Sequence, residues 1–244
     1  MTGMHESGQH GSHAEPSGLS SSAAGFALET AWKPEDGEGR TGTLEFRILG
    51  PDGRTLRDFD EQHDKAMHLM VVRRDLTHYR HLHPSMAPDG TWSAPLTFSE
   101  PGDYRVFADF AAAGRALTLG HDLGLPGTYE PVPLSDPVDA VRTEDYEIAL
   151  ASEVIAGGEA SLVFDVSRNG RPVEDLEPYL GALGHLVALR EGDIAFLHVH
   201  PEADGGSGPR ISFRATFPSE GRYRLFLQFA HGGRVRTAAF TVEV

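Results

Sequence analysis

His68-Leu-Met-Val-Val-Arg-Arg-Asp-Leu-Thr-His-Tyr-Arg-His81-Leu-His83-Pro84 is a stretch that the chain carries twice. The second copy is His185-Leu-Val-Ala-Leu-Arg-Glu-Gly-Asp-Ile-Ala-Phe-Leu-His198-Val-His200-Pro201. In each, a histidine is followed thirteen and fifteen residues later by a His-x-His pair closed by proline, and every counterpart lies 117 residues further on. His68 to Arg73 and His185 to Arg190 are apolar and β-branched enough for strands. Short polar turns follow, Arg74-Asp75-Leu76-Thr77 and Glu191-Gly192-Asp193. A hairpin folded about each turn sets His68 opposite His83 and His185 opposite His200. Residues i and i+2 of a strand share a face, so His81 joins His83 and His198 joins His200. Opposed Cβ atoms lie about 4.5–5.5 Å apart, close enough for three imidazoles to converge on one ion with bonds of about 2.0–2.1 Å. A slip of one residue would turn the first histidine to the other face, so the reading rests on register.

The repeat reaches well beyond the histidines. Leu44, Phe46 and Ile48 alternate ahead of a turn at Pro51-Asp52-Gly53, as Leu162, Phe164 and Val166 do ahead of Asn169-Gly170. Downstream, Phe98 to Phe110 answers Phe217 to Phe229 at an offset of 119, so the second copy has two extra loop residues near Asp204 to Pro209. A unit of about 100 residues is the size of an immunoglobulin-like sandwich. Repetition at that length means domain duplication rather than a solenoid. The fold expected is all-β: two tandem antiparallel β-sandwich domains, immunoglobulin-like or cupredoxin-like. Domain 1 spans 26–141 and domain 2 spans 142–244, joined by the proline-rich Leu125 to Pro137. Arg236 to Val244 forms the last strand, and no amphipathic helix is expected. Residues 1–25, rich in Gly, Ser and His, read as a disordered tail bearing Met1, Met4, His5, His10 and His13.

Composition narrows the function. A formal charge of −15 argues against nucleic acid or an anionic membrane as partner. No stretch is long and apolar enough to span a bilayer. With no cysteine among 244 residues, disulfides and thiolate ligands are excluded, and a transition-metal site must use His, Met or carboxylate. The candidate metal ligands are therefore His68, His81 and His83 in the first copy, and His185, His198 and His200 in the second. Met70 shares the face of His68 and is a candidate soft ligand; Met67 and Met86 are close in sequence. His63 and His78 are extra imidazoles, with Leu180 and Ala195 at the corresponding places. Asp109 and Gln228 correspond, as fourth ligands or as acceptors for an imidazole N–H. His121 and His231 have no counterparts and are expected on the surface. No nucleophile elbow, phosphate-cradling glycine loop or EF-hand spacing is present.

Met67 to Leu76, His81-Leu-His83-Pro84, Asp89-Gly-Thr-Trp92 and Tyr104 to Phe110 resemble a family of bacterial secreted proteins and lipoproteins linked with heavy-metal or copper handling. Pro178 to Arg190 and Leu197-His198-Val-His200-Pro201 fit the second half of the same family, so the resemblance runs from about residue 26 to the end. It implies a cupredoxin-like or immunoglobulin-like fold, metal handling and export. Family members typically carry a leader before a His- and Met-bearing linker. This sequence has such a linker without a leader pattern or lipobox cysteine, so a cytoplasmic address is expected if the chain is the native full length. The first expectation is an extracytoplasmic copper-binding protein, with a His triad in each domain, serving buffering, delivery or resistance, with zinc as the alternative ion. Its partners would be the metal ion and another copper-handling protein. Two other classes stay open: a copper or zinc enzyme with an open three-His site, and a structural or adhesion module that holds no metal. The sequence also leaves open whether the triads form separate sites or one shared across a domain interface.

Overall fold

The computed structural model describes residues 17–151, 154, 156–197, 199–202 and 206–244. His198 and the tail residues Met1, Met4, His5, His10 and His13 lie outside the described residues. All the regular structure described is strand. Domain 1 holds β1 (Ser22–Ala23), β2 (Phe26–Pro34), β3 (Thr41–Leu49), β4 (His68–Arg73), β5 (Arg80–Leu82), β6 (Ser85–Met86), β7 (Trp92–Thr97), β8 (Gly102–Ala112) and β9 (Arg115–Leu125). Domain 2 holds β10 (Ala140–Thr143), β11 (Tyr146–Ala151), β12 (Glu159–Arg168), β13 (Arg171–Pro172), β14 (Gly184–Arg190), β15 (Phe196–Leu197), β16 (Val199–Pro201), β17 (Arg210–Thr216), β18 (Arg222–His231) and β19 (Arg234–Glu243).

Period-2 alternation builds the outer sheets. Leu44, Phe46 and Ile48 of β3, and Leu162, Phe164 and Val166 of β12, point into their own cores while the residues between them stay partly or fully exposed. Those sheets run β1-β2-β3-β7-β6 and β10-β11-β12-β17-β16, the latter with β13 beside β12. Each faces an inner four-stranded sheet, β5-β4-β8-β9 or β15-β14-β18-β19, and all pairings are antiparallel. Both copies place a tyrosine hydroxyl on the backbone carbonyl four residues upstream, Tyr104 on Glu100 and Tyr223 on Ser219, each at 2.9 Å. That corner is an immunoglobulin-type feature.

The inner sheets explain why β4 and β14 read as unbroken apolar runs: they are buried on both faces. Leu69 and Val71 enter the domain 1 core, and Leu186 and Ala188 enter the domain 2 core. The alternate residues, Met70 and Val72 with Val187 and Leu189, meet one another in a third core that includes Phe107 and Phe226. The molecule is therefore four sheets deep, with an apolar seam between the domains. Among the described residues no helix is long and apolar enough to cross a membrane.

Two expectations are corrected. Residues 17–25 are ordered: Ser17 pairs with Phe196 of domain 2, and Arg105 donates to the carbonyls of Gly18 and Leu19. Gly18 permits this docking, because its φ is +74° and a Cβ there would stand 2.7 Å from the Phe107 ring. Composition had no means of revealing partners 87 residues away. The second correction concerns the β14–β15 hairpin. Its register, Ala188 with Leu197, is the one that would bring His185 to His200, but the chain changes sheet first. Val199–Pro201 pairs with β17, setting His200 against Arg214. In copy one the change of sheet comes three residues later in the repeat, after His83, at β6.

Candidate metal centre

The β4–β5 register pairs Leu69 with Leu82 and Met70 with His81, so His68 and His83 close the same end of the hairpin. One ring nitrogen from each of His68, His81 and His83 lies within 4.8 Å of the other two. His68 is fully buried; His81 and His83 are half-buried. His185 of β14 stacks on His68 with ring centroids 5.7 Å apart and planes 12° apart, and its ring lies 4.6 Å from that of His81. His63 completes the group, 6.1 Å from His68 and 5.9 Å from His185. The seam thus gathers five imidazoles, four from domain 1 and one from domain 2.

Local structure places each of them. His63 and Asp64 form a two-residue turn with φ +48° and +61°, closed by Gln62 and Lys65 exchanging backbone hydrogen bonds of 2.8 and 3.0 Å. The same turn recurs at Leu180 and Gly181 (φ +57° and +80°), so the second copy keeps the backbone and omits the imidazole. The turn also offers the Gln62 carbonyl to His68 Nε2 at 2.9 Å. His68 Nδ1 lies 2.9 Å from His81 Nε2, and His81 Nδ1 lies 2.7 Å from Gln228 Oε1. Gln228 thus serves an imidazole as expected, but one belonging to the other domain. Asp109, paired with His68 in the ladder as Gln228 is with His185, accepts a 2.7 Å bond from the Thr118 hydroxyl.

Burial is the main influence on the charge of the cluster, since an imidazolium loses water that its neighbours do not replace. It lowers His68, against the opposing pull of the Gln62 carbonyl and Asp109. Burial pushes His81 down to about 3 and His83 down to about 4. His185 is driven well below the ordinary histidine value by burial and then by the imidazoles around it. All four shifts favour the neutral imidazole, the form that binds metal.

Beside the cluster opens a cleft of about 310 Å³, lined by His63, His185, His200, Asp109 and Gln62 with apolar neighbours including Phe196. His200 is exposed here, apart from the three-histidine group of copy one. Met70 packs in the interdomain core, Met67 in the domain 1 core, and Met86 is exposed. His78 is exposed and meets Ser99. The surface expectation for His121 and His231 is corrected. His121 is half-buried, and His231 bridges the Tyr146 hydroxyl (2.6 Å) and Asp175 (3.0 Å). The residue that sequence reasoning left outside the ligand set is His63. Its signal was an unmatched imidazole, which gave no hint of where the turn would aim it.

No curated protein matches the chain. Among solved structures, domains 4 and 5 of the S-layer protein SbsC are 12% identical, with 90% of this chain and 96% of that one covered and a TM-score of 0.27. Invasin, described as a bacterial integrin-binding protein, is 12% identical over 88% of this chain and 39% of its own, at a TM-score of 0.25. Bovine butyrophilin is 12% identical over 89% and 98%, at 0.23. A family match covers residues 24–125 and 140–244, once over each domain, and the chain belongs to that family, described as Domain of unknown function (DUF8832).

Proposed function

We propose that the protein binds copper in the seam between its domains, for buffering, delivery or resistance outside the cytoplasm. His68, His81 and His83 are the ligands and His185 packs against them. The observation that carries this is the His68–His81 contact. His68 Nε2 faces a carbonyl, so it bears the proton and Nδ1 is a bare lone pair. His81 Nδ1 faces the Gln228 amide oxygen, so it bears the proton and Nε2 is bare. Two lone pairs then confront each other at 2.9 Å. With the Gln228 amide oxygen turned to His81, such a pair repels unless a cation or a shared proton lies between, and the depressed histidine pKa values disfavour the proton. Outer hydrogen bonds that fix tautomers in this way accompany metal-bound histidines.

The rest of the cluster agrees. His83 Nε2 is buried with no hydrogen-bond partner among the described residues, a cost that coordination would remove. Two nitrogens 2.9 Å apart, each about 2.0–2.1 Å from an ion, subtend about 90°, which favours tetragonal copper over tetrahedral zinc. The test is metal content of the full chain after loading with copper or zinc and removal of loosely held ions. Copper should be retained and then lost from His81→Ala/His83→Ala. Absence of binding tighter than micromolar would end the reading and leave a duplicated structural module. The cleft beside the triad, with the Asp109 carboxylate in its wall, favours a second reading, an open catalytic copper or zinc centre. Oxygen consumption or hydrolysis by the loaded protein, abolished in the same variant, would establish it.

A further inference from the structure

We infer that residues 1–16 are a delivery arm that carries copper to the triad through the cleft beside it. The inference rests on the metal reading above and adds the route by which the ion arrives. The arm bears His5, His10 and His13 with Met1 and Met4, and imidazole and thioether are donors that suit copper. What ties it to the triad is the place where it is fixed. The Phe196 N–H donates to the Ser17 carbonyl at 2.9 Å, and Phe196 lines the cleft. Residues 17–20 run alongside β9 in the same direction. The Gly18 N–H donates to the Thr118 carbonyl at 3.1 Å, and the Gly120 N–H donates to the Ser20 carbonyl at 2.9 Å. Followed back towards the N-terminus, that course leads to Ala116, another residue of the cleft wall. The arm therefore joins the folded domains at the rim of the cleft.

The cleft in turn leads to the ligands. His63 and His185 stand in its wall. The His63 ring is 6.1 Å from His68, and the His185 ring is 5.7 Å from His68 and 4.6 Å from His81. A single layer of imidazole thus separates the cleft from two of the three ligands. Asp109 is the one carboxylate among the cleft-lining residues, and its charge draws a cation inward. The triad offers less to an ion in solution, since His68 is fully buried and His81 and His83 are half-buried. His13 lies four residues before Ser17 and His10 seven, spans of at most about 14 and 25 Å. An ion held by either is kept near the cleft at about millimolar effective concentration, far above micromolar copper in solution. The triad takes the ion over because Gln62 and Gln228 already fix the tautomers of His68 and His81, so little ordering is left to do.

The experiment mixes the full chain with micromolar Cu(II) alone and follows by stopped-flow absorbance the copper band that is lost from His81→Ala/His83→Ala. Copper content after removal of loosely held ions gives the end point. His5→Ala/His10→Ala/His13→Ala should reach the wild-type content, but about tenfold or more slowly. Gly120→Val keeps every histidine of the arm and loses the anchor, because a Cβ there would fall 1.9 Å from the Gly18 carbonyl oxygen. It too should fill slowly to the same content, with folding checked by circular dichroism. Filling at the wild-type rate in either variant would overturn the inference and leave the triad standing. A lower final content in the triple variant would also overturn it, by making the arm part of the holding site. No retained copper in wild type, or a band that survives His81→Ala/His83→Ala, would overturn the triad and the arm together.

Discussion

Gln228 occupies in domain 2 the ladder position that Asp109 holds in domain 1, and its amide oxygen accepts a hydrogen bond from His81 Nδ1 across the seam. Gln228→Leu should lower copper affinity about 10- to 100-fold, read by competition with a chelator, because His81 loses the bond that fixes its tautomer. Unchanged affinity would mean that the bond does not orient the ligand. Acid should act on the same nitrogens. The folded values, about 3 for His81 and about 4 for His83, lie below the ordinary 6.5, so the unfolded chain protonates first as pH falls. Stability of the metal-free protein is therefore complete above the unfolded value and is lost as pH drops towards the folded ones. The slope is about 1.4 kcal/mol per pH unit for each such histidine. Urea titrations between pH 7 and pH 5 check this, and His81→Gln should flatten the slope by about one histidine's share. The spacing of the histidines and the Asp109–Gln228 correspondence were legible in the sequence. That Gln228 would serve the opposite domain was not, because no pattern within one repeat records how two repeats pack.

At the level of elements, alternation revealed β3 and β12 and their turns, and the apolar runs revealed β4 and β14. The change of sheet at β16 was hidden, since His-Val-His reads equally well as the end of a hairpin or as an edge strand of the opposite sheet. The strap formed by residues 17–20 was hidden too. Its Gly and Ser composition looks disordered, while its anchors are Arg105, Thr118 and Gly120 of domain 1 and Phe196 of domain 2. Gly120 is the sensitive point, because a Cβ there would fall 1.9 Å from the Gly18 carbonyl oxygen. Gly120→Val should expel the strap, speeding proteolysis around residue 20 more than tenfold and costing about 1–3 kcal/mol of stability. An unchanged cleavage rate would show that the strap contributes no ordering of its own.

For the molecule as a whole, the duplication was plain in the sequence and the seam was not. Residues such as Met70 and Val72 fit a buried strand whichever surface covers them. The seam includes Phe226 stacked on Tyr79 at 4.1 Å with planes 9° apart. Phe226→Ala should cost about 3–5 kcal/mol and split one calorimetric transition into two as the domains melt separately. A single transition at lower temperature would mean that other contacts suffice to couple them. His68 and His185 hold the same place in the two repeats, and their rings lie against each other. Identical positions can meet in this way only on a local twofold axis, so the seam has the form of a homodimer contact fused into one chain. Fusion frees the halves to differ, His63 against Leu180 and Asp109 against Gln228, as an identical pair of subunits could not. It also removes the second-order step: the two halves meet at a fixed effective concentration, so ion affinity should be the same however dilute the protein becomes.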